Sequence, residues 1–117
     1  MPNETETMEI QAVWKERPSL FTSGLMQWVA VAVGSDGSTP LRDSPAFPLD
    51  DKFLAGYDKD DDNPFIRPDL DAMDDDKREV VTAMHSEFVS ALERDGWDQT
   101  GQGSDWYNLR FERPVMP

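Results

Sequence analysis

The densest run of side chains able to do chemistry is Asp58-Lys59-Asp60-Asp61-Asp62-Asn63, in which Asp58, Asp60 and Asp62 alternate and Asp69 falls at the twelfth position counted from Asp58. Oxygen ligands at alternate positions, closed by a twelfth-position carboxylate, are what a hard cation of high coordination number such as calcium requires. Two departures weaken the match. Asn63 stands where the sharp turn needs glycine, and Asp69 is shorter than the glutamate that grips calcium through both oxygens. Pro64 and Pro68 stiffen the loop, and no helix leads into it. A solvated acidic loop is the stronger reading, with a divalent-metal or small-ligand module as the alternative.

The single histidine, His85, is the natural candidate for a general base at neutral pH. It lies at helical spacing between Val81 and Phe88, where an imidazole is usually packed and hydrogen-bonded. No cysteine, Gly-x-Ser-x-Gly, His-Glu-x-x-His or phosphate-cradling glycine loop accompanies it. The absence of cysteine also removes disulfides, thiolate metal sites and a thiol nucleophile. Neither an enzyme nor a cofactor is expected.

Binding is a better prospect than catalysis. The chain has 24 Asp+Glu against 11 Lys+Arg, a formal charge of −13 in 117 residues, and eleven of those acids are aspartates between Asp50 and Asp76. Such a field repels nucleic acid and anionic membranes and attracts basic protein surfaces. Four tryptophans, Trp14, Trp28, Trp97 and Trp106, are many for this length. Indole suits both cores and interfaces. The candidate partner-binding residues are therefore Asp58, Asp60, Asp61 and Asp62 for steering, with Trp28 and Trp106 as anchors if one sheet face is left uncovered. The function expected is that of a non-enzymatic accessory or inhibitory domain engaging a basic partner. An acidic inhibitor that imitates nucleic acid is a third reading.

The elements that must position these residues follow from periodicity. Val81, Met84, Phe88 and Leu92, widened by Val80, His85 and Ala91, form the apolar stripe of one long helix opening at Asp74-Asp75-Asp76 and stopped by Gly96. Met8, Ile10, Ala12 and Trp14 alternate with polar residues and predict a half-buried strand after a disordered leader of residues 1–7. Residues 25–33 are apolar on both faces and predict a central strand, followed by a tight turn at Gly34-Ser35-Asp36-Gly37 and a short edge strand up to Asp43. Residues 44–73 read as a long acidic excursion pinned by Phe47, Phe53, Leu54, Tyr57, Phe65 and Ile66. A hairpin from Trp97 through Glu112 closes the chain. These pieces predict a single α+β domain over residues 8–117: an antiparallel sheet of four or five strands with the helix across one face.

The unit running from Ala91 through Gly96-Trp97 to Trp106-Tyr107-Asn108-Leu109-Arg110-Phe111-Glu112-Arg113 resembles small bacterial domains of unknown function that end in helix, Gly-Trp, hairpin and an Arg-Phe-x-Arg strand. The resemblance covers the C-terminal quarter and implies a fold, without a catalytic residue. The N-terminal residues lack the basic and apolar regions of a signal peptide, so the expected location is the cytoplasm.

Overall fold

The computed structural model describes residues 5–19, 23–33, 40–58, 60 and 65–114. The chain is an α+β domain whose elements run β1 (Thr5–Glu16), β2 (Gly24–Ala32), β3 (Arg42–Asp43), β4 (Phe47–Leu49), a 3-10 turn at Asp51–Phe53, β5 (Phe65–Ile66), a second 3-10 turn at Leu70–Ala72, α1 (Asp75–Arg94), β6 (Asp98–Gln102) and β7 (Leu109–Pro114). One antiparallel sheet holds all the strands in the order β3-β2-β1-β7-β6, with β4 also on β2 and β5 also on β1. Among the described residues the sheet therefore has seven strands, more than the four or five expected, because the acidic excursion contributes two short ones.

Alternation sets the faces. Ile10 pairs with Ala30, Ala12 with Trp28 and Trp14 with Met26. These residues, together with Met8 and with Phe111 of β7, are buried on the side that receives α1. Helix and sheet bury their stripes against each other, the ordinary two-layer solution. Val81, His85, Phe88 and Leu92 form the buried helical stripe, whereas Val80, expected to widen it, faces solvent. On the opposite sheet face Val29 and Val31 of β2 are also buried.

Local chemistry frames the helix as its sequence predicts. The Asp74 carboxylate accepts the Lys77 amide at 2.8 Å. At the other end Gly96 adopts φ +93°, its N–H donates to Glu93 O, and Trp97 N donates to Leu92 O at 3.1 Å. That pair of bonds is the Schellman closure a glycine at this position allows. Trp97 is buried beneath the Arg113 guanidinium, 4.4 Å from its ring centroid.

The strand alternation begins earlier than Met8. Thr5, Glu6 and Thr7, read as part of a leader, pair with Pro114, Arg113 and Glu112. The tight turn at Gly34–Gly37 lies outside the described residues, while β3 returns onto Val29 and Ala30. The excursion is closed at its neck, where Ala55 N donates to Arg67 O and Asp69 N to Phe53 O, both at 2.8 Å, around a Leu54–Pro68 bridge. Phe53, Leu54 and Ile66 anchor this neck in the core.

Candidate functional site

Two concave surfaces meet where the excursion returns to the sheet. The first is a groove of about 380 Å³ whose walls include Arg67, Asp69, Asp71, Asp105 and Trp106. Its acidic wall comes from the 3-10 turn at Leu70–Ala72. Asp69 begins this turn and accepts the Asp71 amide at 3.0 Å. The turn is fixed to α1 by Arg78, whose Nε donates to Leu70 O and whose second nitrogen donates to Met73 O, each at 3.2 Å. Trp106 is half-buried, and its Nε1 donates to Pro68 O at 3.4 Å.

Behind Trp106 lies a cluster of aromatic rings packed edge to face. The Trp28 ring sits 4.9 Å from His85, 5.6 Å from Trp106 and 5.3 Å from Tyr107, centroid to centroid. His85 Nε2 donates to the Tyr107 carbonyl at 3.0 Å; since a carbonyl can only accept, this nitrogen carries the proton in the neutral ring. Tyr107 in turn donates from its hydroxyl to Ile66 O at 3.2 Å, tying the turn to β5. Burial, with the Asp105 carboxylate adding to it, pushes the Tyr107 phenol well above its usual range. The groove thus has a rigid floor supported by α1, β2 and β5.

Desolvation holds the His85 pKa below 6.5, while the bond to the Tyr107 carbonyl works in the opposite direction. A ring whose folded pKa lies below the unfolded one contributes stability above pH 6.5 and loses it as the pH falls. An NMR titration of the imidazole is expected to give a midpoint below 6.5. A midpoint at or above that value would place the ring in water.

The second concavity, about 340 Å³, lies along the edge of β1 between β5 and β7. The ladder of β1 is interrupted there between its last pair with β7, Glu9–Arg110, and its first with β5, Ala12–Ile66. Asn108 fills the gap by donating from Nδ2 to Ile10 O at 2.8 Å. Glu9 is the hub of the opening, accepting from Arg110 Nε at 3.1 Å and from Gln11 Nε2 at 2.7 Å. Arg67 lines both concavities and reaches Asp105 at 3.4 Å. Each of these cations is thus committed to a carboxylate of its own site.

The candidates named from the sequence are dispersed. Asp58 and Asp60 are exposed, and the Asp60 amide donates to Asp58 Oδ1 at 2.9 Å, the bond of an aspartate-led turn. Asp61 and Asp62 lie outside the described residues. Among the described residues no three His, Asp or Glu side chains are grouped so as to hold a metal ion. Trp28 has 0% exposure, so it is a core residue and cannot anchor a partner. Its place opposite Ala12, on the core face of a central strand, is the physical reason. Trp106 remains partly accessible. The residues not singled out from the sequence are Glu9, Arg67, Asp105 and Asn108; the contacts Glu9–Arg110, Arg67–Asp105 and Asn108–Ile10 join residues distant along the chain, and no local period marks them.

Among the described residues no helix is long and apolar enough to cross a membrane. Comparison of the chain with protein-family models, with curated proteins and with solved structures finds no match.

Proposed function

We propose that this domain is a non-catalytic binding module that engages a basic surface of another protein, with the Trp106 groove as its anchor. The observation that carries this reading is the composition of that groove, where an accessible indole shares one concave surface with Asp69, Asp71 and Asp105. An aromatic face beside carboxylates suits a Lys or Arg side chain, whose cation is attracted by both. The rest of the surface charge supports it. Arg42, Arg67, Arg78, Arg110 and Arg113 are each paired with one carboxylate, whereas Asp69, Asp71, Asp74 and Asp76 form no ion pair among the described residues. The calcium reading is weaker because Asp58 and Asp69, two of its carboxylates, already accept backbone amides in turns.

The test is a salt series of association kinetics against a Lys-rich synthetic peptide. The on-rate is expected to fall about tenfold or more as salt shortens the Debye length from about 30 Å at 0.01 M to about 8 Å at 0.15 M. Trp106→Phe should raise the off-rate, and Asp71→Asn should weaken binding more than Glu87→Gln, which removes the same charge from the exposed side of α1. Equal effects of the two neutralisations, with an unchanged off-rate for Trp106→Phe, would mean that the acidity only keeps the protein soluble.

A further inference from the structure

The sheet ends differently at its two edges. At one, β3 and β4 share the outer side of β2 and are only two and three residues long, and Pro48 interrupts the N–H row of β4. Arg42 also bridges from β3 to Asp95 at 2.8 Å, which ties this edge to the end of α1. At the other edge, β6 has five residues, is exposed at every position and, among the described residues, pairs only with β7. A strand in that position presents a row of open backbone donors and acceptors.

The side chains of this edge are unusual for a hairpin. Asp98 stands directly opposite Glu112, two carboxylates at cross-strand spacing, an arrangement that lowers stability. The register shifts between Gln99 and Gly101, so a bulge limits how far an incoming strand can follow β6. Gly101 has open space where a side chain would be. A cation placed beside Asp98 would relieve the carboxylate pair, and a short ladder leaves charge to supply much of the affinity.

We infer that β6 is a strand-addition edge for an extended basic segment of the partner, a Lys or Arg of which lies beside Asp98. This inference rests on the reading that the partner is basic. A second copy of the chain fits poorly as the occupant. Pairing β6 with β6 would add another Asp98–Glu112 pair to the same edge, between two bodies each carrying −13. Strand addition of this kind draws affinity from main-chain hydrogen bonds and specificity from alternate side chains.

Two synthetic peptides of alternating Lys and Val separate the contributions: one ordinary, the other N-methylated along its backbone, so that charge is kept and pairing is blocked. The ordinary peptide is expected to bind about tenfold or more tighter and to slow amide hydrogen exchange across Asp98–Gln102. Asp98→Lys, which removes the like-charge pair and keeps the hairpin, should weaken the ordinary peptide and leave the methylated one less affected. Equal affinity of the two peptides would overturn strand addition while leaving the basic-partner reading in place. Failure of both to bind would overturn the two together. Slowed exchange across β6 that grows with protein concentration and needs no peptide would assign the edge to a second copy instead.

Discussion

Replacing Trp28 with alanine is expected to remove about 3–5 kcal/mol of stability, the usual cost of emptying a large aromatic site in a core. Domains of this kind have roughly 5–15 kcal/mol in total, so the variant should be partly or wholly unfolded near physiological temperature. The indole is fully buried and touches His85, Trp106 and Tyr107, so the cavity would open at the junction of α1, β2 and the turn before β7. Trp28→Phe should cost distinctly less. Among the described residues the Trp28 indole N–H has no hydrogen-bond partner, and removing an orphaned donor offsets part of the lost contact area. Urea midpoints of the two variants check this. A loss under about 1 kcal/mol for Trp28→Ala would contradict the core position and restore Trp28 as a surface residue.

The second large effect is at Gly24, where β2 starts beside the bulge between Trp14 and Glu16. A Cβ at this position would lie 2.6 Å from the Trp14 ring, 2.8 Å from Pro18 Cδ and 2.9 Å from Glu16 O. The last two are a ring and a backbone atom, which cannot simply swing away. Gly24→Ala should therefore destabilise by about 1–3 kcal/mol through overpacking, and Gly24→Val by more. Thermal melts, read beside the near-ultraviolet circular dichroism of the displaced Trp14, measure it. An unchanged melting temperature for Gly24→Ala would mean that this end of the hairpin gives way without resistance.

How much of this was legible in the sequence depended on how locally each feature is encoded. The helix, its Asp74 cap and its Gly96 stop all lie within one continuous run, and each has a signature spanning a few residues. The long strands β1 and β2 announce themselves by alternation and by an apolar run. The short strands β4 and β5 do not, since Phe47-Pro48-Leu49 and Phe65-Ile66 are too brief to show a period; only their apolar anchors were visible. The aromatic face failed at Trp28 for a different reason. Alternation tells which residues share a face, but which face α1 will cover is decided by the whole assembly. The Arg67–Asp105 and Asn108–Ile10 contacts join residues distant along the chain, and nothing local foretells them.

The pairing of β1 with β7 has a consequence for how the protein is made. The central strand precedes β7 by about 100 residues, so the ladder from Thr5 to Glu9 has no partner until residues 110–114 exist. At roughly 5–20 residues per second, one edge of β1 waits on the order of 5–20 s before its neighbour is synthesised. Until α1 follows to cover their face, Met8 and Ile10 are shielded by β2 and by transient collapse. Contacts so distant along the chain also carry the entropy of closing a long loop, which slows folding. The vulnerable species is thus the nascent β1–β2 hairpin, and a cell short of chaperones should lose this protein to aggregation during synthesis more readily than after its completion.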